Sequence, residues 1–141
     1  MLELINLTKK FGNFTAVNSL NLKVQNGDFF GFLGQNGAGK TTTIKMISGL
    51  YTASSGKILI NDYDIVKDPI KAKSLIGYIP DQPFIYEKLT GREFLYFSGG
   101  LYSIDKSKLK IKIAETIEKL EIGNWVDKRT EEYSQGMKQR I

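Results

Sequence analysis

The chain has 141 residues, of which 41% are hydrophobic and 25% charged, the balance of a globular protein rather than a disordered one. Its 20 Lys plus Arg exceed its 15 Asp plus Glu by a net +5, and only three of those cations are Arg, so planar recognition of nucleic acid is thinly supplied. The lack of Cys excludes disulfides and thiolate chemistry, and the lack of His removes the commonest general base and metal ligand.

No apolar run approaches the roughly 20 residues needed to span a bilayer. The N-terminus also lacks the order of a signal peptide, so a cytoplasmic location is expected. The first third reads as strands. Leu2, Leu4 and Leu7 give a broken alternation, and Lys9 to Asn13 reads as a turn. Ala16 to Val24 alternates again, with Val17, Leu20, Leu22 and Val24 on the apolar face. Asn26-Gly27 then predicts a hairpin turn, and the apolar run Phe29 to Leu33 predicts a strand buried on both faces. A helix is expected over Thr41 to Leu50, with Ile44, Ile47 and Leu50 at helical spacing. Strands are expected at Lys57 to Ile60 and at Leu75 to Ile79, the second stopped by Pro80.

Beyond residue 81 the pattern turns helical. Thr90-x-x-Glu93 ahead of Phe94 to Phe97 has the spacing of a capping box. A further helix is predicted from about Ser107, with Leu109, Ile113, Ile117 and Leu120 on one face. Its lysines at 108, 110, 112 and 119 read as a solvated face, and no nucleic-acid partner is expected because no aromatics interleave them.

Gly34 to Thr41 satisfies G-x-x-x-x-G-K-[ST] at every position, between an apolar run and an apolar-periodic helix. A triphosphate needs several N–H donors turned into one concavity, which demands backbone conformations that Gly permits. The helix that follows adds its N-terminal N–H groups and the positive end of its dipole. Lys40 supplies a point charge to the β and γ oxygens, and the Thr41 hydroxyl ligates Mg²⁺. The chain is therefore expected to bind a nucleoside triphosphate.

Near the other end stands Tyr133-Ser134-Gln135-Gly136-Met137-Lys138-Gln139-Arg140. It resembles the signature of ATP-binding-cassette (ABC) ATPases, usually Leu-Ser-Gly-Gly-Gln followed by Gln-Arg. Ser134, Gly136, Gln139 and Arg140 match, whereas Tyr133, Gln135 and Met137 depart. Thr8 to Gly12, Ser55-Gly56 and Ile76 to Pro80 fit the same family in the same order, so the resemblance covers the whole chain. It implies an α/β fold, a P-loop NTPase core (incomplete), with an N-terminal antiparallel β subdomain and the start of a helical subdomain. The implied organisation is a core over 1–80, a Q-loop-like linker over 81–88 and a helical subdomain over 89–141.

The resemblance also implies roles. ATP would be held by Phe11, Val17, Asn36, Gly37, Ala38, Gly39, Lys40, Thr41 and Thr42, with Phe11 stacked on adenine. Ser134, Gln135, Gly136 and Met137 would face the ATP of a second ABC domain paired head to tail. Mg²⁺ would be held by Thr41 and by Asp81 or Gln82; the family usually places Gln where Asp81 stands. The implied protein is the ATP-hydrolysing subunit of a transporter of the exporter branch, peripheral on the inner face of the membrane and attached to permease subunits. The alternatives are a soluble ABC ATPase of DNA repair or translation and a non-catalytic nucleotide-binding regulator. The family's acidic strand end, catalytic Glu and switch His find no counterpart up to Ile141. Catalytic residues are therefore unassigned, and the expectation is an early-ending chain with no hydrolytic activity of its own and a tendency to self-associate.

Overall fold

The computed structural model describes residues 1–102 and 104–141, and the chain divides into two compact units, Met1–Tyr78 and Ile79–Ile141. In the first, β1 (Leu2–Phe11) and β2 (Phe14–Val24) form an antiparallel hairpin turned at Gly12-Asn13. With β3 (Ser55–Ile60) and β4 (Tyr63–Asp64) they make one antiparallel sheet in the order β2-β1-β3-β4. Helices α1 (Lys40–Ile47) and α2 (Pro69–Lys73) complete the unit. Leu4, Leu7, Val17, Met46, Ile58, Ile60, Ile65 and Ala72 form its buried core.

The broken alternation of β1 has a structural cause. Leu4 and Leu7 are three residues apart yet both buried, which strict pleating forbids. Asn6 takes a left-handed backbone, φ 48°, and Ser19 in β2 does the same at φ 47°, where the register between the strands shifts. The irregularity is held by polar side chains. The Asn6 N–H donates to Asn21 Oδ1 at 2.8 Å, and the Ser19 N–H donates to Thr8 Oγ1 at 2.9 Å. Gly56 in β3 lies against the same spot, where a Cβ would fall 2.4 Å from the Asn6 carbonyl oxygen; only Gly fits.

Four expected features differ. Phe29 to Leu33 is irregular backbone with Phe29, Phe30 and Leu33 exposed, not a buried strand. A strand exists only through a ladder partner, and none of the described residues pairs with this run. For the same reason Asn26-Gly27 makes a turn but no hairpin, since β2 pairs with β1 instead. Leu75 to Ile79 also forms no strand, and Leu75 and Ile79 are exposed. Helix α1 is shorter than expected and turned: Thr43 and Met46 are its buried residues, while Ile44 and Leu50 are exposed. Gly49, with φ 72°, ends the turn that follows it.

In the second unit, helix α3 (Gly91–Leu101) starts at the expected capping box. The Thr90 N–H donates to Glu93 Oε2 at 2.8 Å and the Glu93 N–H to Thr90 Oγ1 at 3.2 Å. The Glu93 carboxylate accepts from the Thr90 N–H and, at 3.0 Å, from the Thr90 hydroxyl, and these two bonds, the backbone one first, hold it below its ordinary range. Helix α4 (Lys106–Lys119) begins where Asp105 accepts from Ser107 and Lys108, and it buries Leu109 and Ile113 as its periodicity predicts. A 3₁₀ turn at Thr130–Glu132 leads to the short helix α5 (Gln135–Arg140). Ion pairs tie the surface of the unit. Arg92 grips Asp127 through Nε to Oδ1 at 2.6 Å and Nη2 to Oδ2 at 3.0 Å, and Lys88 meets Glu131 at 2.7 Å.

Candidate functional site

The loop 34–39 joins an irregular segment to α1, and its shape is fixed from behind by β2. Gly39 is the N-cap of α1 in a left-handed conformation, φ 83°, and lies against β2. A Cβ there would fall 2.4 Å from the Ala16 carbonyl oxygen and 3.0 Å from Val17 Cγ2. No other residue type fits, so the entry to α1 is seated on the backbone of β2. The Gly39 carbonyl accepts from both the N–H of Thr43, at 2.8 Å, and its Oγ1, at 2.9 Å, which locks the first turn.

With no side-chain cap at Gly39, the N–H groups of Lys40, Thr41 and Thr42 find no protein acceptor among the described residues. They open into a cavity of about 290 Å³ lined by Phe14, Ala16, Asn36, Gly37, Gly39, Lys40, Thr41 and Thr42. The Lys40 ammonium is held over the loop by the carbonyls of Gly34 and, at 2.7 Å, Gln35. A second turn, Ala38 N–H to the Gln35 carbonyl at 3.2 Å, shapes the loop, which puts Gly37 at φ 83°. The cavity thus carries free donors, a cation, a helix N-terminus and an exposed hydroxyl on Thr41. Chemically that set suits a multiply charged phosphate anion.

Other residues named from the sequence fall into distinct places. Asn36, Gly37, Gly39, Lys40, Thr41 and Thr42 share the cavity wall. Val17 is buried in the core and supports Gly39 from behind. Phe11 ends β1, half-exposed, edge-on to Tyr51 with ring centroids 5.8 Å apart, and Lys9 Nζ lies 5.0 Å from its ring. Phe14 and Ala16, which the sequence reading missed, line the cavity; their period-2 spacing along β2 was the available signal.

The second constellation lies in the other unit. Ser134 caps α5, accepting from the Met137 N–H at 3.3 Å, with Gln135 and Gly136 exposed beside it. The departure at Tyr133 has a structural basis. Its ring is buried edge-on against Trp125, with centroids 4.8 Å apart, and its hydroxyl donates to the Trp125 carbonyl at 3.1 Å. Burial pushes its phenol up from the ordinary value. Asp81 and Gln82 are exposed in the same unit, on the stretch before Ile85.

The fold and the loop are those of a partial P-loop NTPase core. The ABC transporter family profile matches residues 17–141. The chain is 40% identical, over all 141 residues, to the linearmycin resistance ATP-binding protein LnrL of Bacillus subtilis, covering 45% of that relative. It is 38% identical to the bacitracin transport ATP-binding protein BcrA of Bacillus licheniformis, again over 141 residues and 45% of that protein. Among solved structures, an ATP-binding subunit of an ABC transporter superposes with a TM-score of 0.88 at 28% identity, over 99% of this chain and 58% of that one. A dimeric ATP-binding cassette bound to ADP and Pi superposes with a TM-score of 0.84 at 22% identity, over 99% of this chain and 66% of that one, which speaks to fold alone. The chain belongs to the ABC transporter family. It spans about half the length of LnrL and BcrA.

Proposed function

We propose that this chain supplies the nucleotide-binding part of the ATPase subunit of an ABC transporter that couples ATP binding and hydrolysis to export. The observation that carries the reading is the cavity at the start of α1. Three backbone donors, the Lys40 ammonium and the Thr41 hydroxyl converge there on a site that Gly39 fixes against β2. On ATP binding, Lys40 exchanges its bonds to the Gly34 and Gln35 carbonyls for bonds to phosphate oxygens. Thr41 would hold the Mg²⁺ that neutralises the phosphates, since its hydroxyl stands on the cavity wall with no acceptor among the described residues. Phe11 offers a half-exposed ring for the adenine.

The remaining roles follow from family membership and from the relatives' names. The capped turn at Ser134 to Met137 would serve the ATP of a second ABC domain in a head-to-tail pair. Membrane permease subunits would carry the substrate, and the resistance and bacitracin-transport names of the relatives favour an exporter. No described helix is long and apolar enough to cross a membrane.

Titration of the purified chain with a fluorescent ATP analogue tests the core of this reading. Lys40→Ala removes charged hydrogen bonds worth about 1.5–3 kcal/mol, so affinity is expected to fall about tenfold or more. Equal affinity in the two proteins, or no saturable binding in either, overturns it.

A further inference from the structure

We propose that the tip of the α3–α4 pair is a docking surface for an anionic lipid bilayer, contacted directly by this chain. Leu109 and Ile113 mark the buried side of α4, and at 3.6 residues per turn Ile111 falls opposite them. Ile111 is accordingly 61% exposed. On the same wheel Lys108 and Lys112 flank it on one side and Lys110 on the other, all exposed. Leu101 and Tyr102, 69% and 79% exposed, close α3 a few residues before α4 begins, at the same end of the pair. The first two turns of α4 carry no acidic residue, and Asp105 is spent on capping the Ser107 and Lys108 N–H groups. Among the described residues, the ion pairs use Lys23, Lys88, Arg92 and Arg129; Glu115 and Glu118 continue the Ile111 face toward the far end of α4, and neither pairs with an α4 lysine.

The chemistry of the patch selects its partner. Lysines are compact point charges on flexible stems and suit diffuse anionic charge, whereas planar Arg, absent from this surface, suits defined phosphate geometry. The interleaved groups are Leu, Ile and one Tyr, which enter the headgroup boundary of a bilayer but provide little for nucleic-acid bases to stack on. Basic residues around an exposed apolar apex are the pattern of an interfacial helix. The surface lies apart from the α1 cavity in sequence and chemistry, so the inference holds whether or not ATP binds.

Co-sedimentation of the purified chain with vesicles tests it, using phosphatidylcholine alone or with about 30 mol% phosphatidylglycerol. Binding is expected to the anionic vesicles only and to fall away as salt shortens the screening length from about 10 Å at 0.1 M to about 3 Å at 1 M. Each lysine at an anionic surface contributes roughly fivefold in partitioning, so Lys108→Gln, Lys110→Gln and Lys112→Gln together reduce binding about a hundredfold. The matched variant Lys57→Gln, Lys67→Gln, Lys71→Gln removes the same charge elsewhere and keeps tight binding. Lys40→Ala also keeps it, which separates this surface from the nucleotide site. Equal binding to neutral vesicles, an equal loss in the two triple variants, or tighter binding to duplex DNA than to vesicles at the same salt overturns the proposal.

Discussion

The Ala16 carbonyl oxygen stands 2.4 Å from where a Cβ on residue 39 would lie, so Gly39 is locked to β2 by shape alone. Gly39→Ala adds that clash to the roughly 1–2 kcal/mol cost of a left-handed backbone for a residue with a Cβ. The variant is expected to melt several degrees lower and to lose ATP-analogue binding. Binding retained at full affinity would show that the loop does not need its seat on β2.

Phe11 and the phosphate loop make separable contributions under the proposed function. Base–aromatic stacking is worth about 1–3 kcal/mol by alanine substitution, so Phe11→Ala is expected to weaken ATP about fivefold or more. Inorganic tripolyphosphate, which has no ring to stack, binds both proteins equally. A matching loss for tripolyphosphate would instead make Phe11 a support of the hairpin through Tyr51, 5.8 Å away.

The capping box at α3 gives a stability test with a pH signature. Thr90→Ala removes the cap and costs about 1 kcal/mol in urea unfolding. Because its bonds to Thr90 depress the Glu93 carboxyl, their contribution is present above the unfolded value of 4.5 and lost as pH falls through the lower folded value. Asp127, depressed by its hydrogen bonds to Arg92, and Glu131, depressed by Lys88, act in the same direction. The wild type should therefore lose stability as pH drops below about 4.5, and Thr90→Ala, which removes the hydroxyl bond but keeps the one from the backbone N–H, should flatten part of that slope. An unchanged slope would remove the Thr90 hydroxyl from the account.

Tyr133 gives the complementary alkaline test. Tyr133→Phe removes the hydroxyl shared between the Trp125 and Val126 carbonyls, at a cost of about 1 kcal/mol, since these still accept from the Lys128 N–H and the Arg92 N–H, each at 2.9 Å. The raised phenol contributes stability that is intact below 10.0 and lost as pH rises through its folded value. The Phe variant should melt slightly lower at neutral pH and fall less steeply in alkali. A larger loss would mean that the ring had moved from Trp125.

Local signals were legible in the sequence where a few neighbouring residues settle the outcome. The glycines and Lys40 of the phosphate loop, the Thr90–Glu93 box and the Leu109–Ile113 face of α4 depend on short-range spacing. Phe29 to Leu33 misled because a strand is defined by its partner, and hydrophobicity alone does not name one. The face of α1 misled because its orientation is set at Gly39 by β2, which turns Thr43 and Met46 inward in place of Ile44. Phe14 was missed because its cavity-facing position depends on that same packing.

The paired irregularity at Asn6 and Ser19 makes the length of β1 a fixed quantity. Upstream of Asn6 the strand keeps one phase, with Leu4 inward, and downstream it keeps the other, with Leu7 inward. Deleting Asn6 would bring Leu4 and Leu7 to the two-residue spacing that pleating places on one face, but it would remove the N–H that Asn21 Oδ1 accepts and leave the shift at Ser19 without its counterpart. It would also remove one of the two carbonyls, those of Ile5 and Asn6, against which Gly56 lies. An insertion after Gly12, in the exposed turn, breaks none of these contacts, so the hairpin tolerates a change of length more readily at its tip than at its middle.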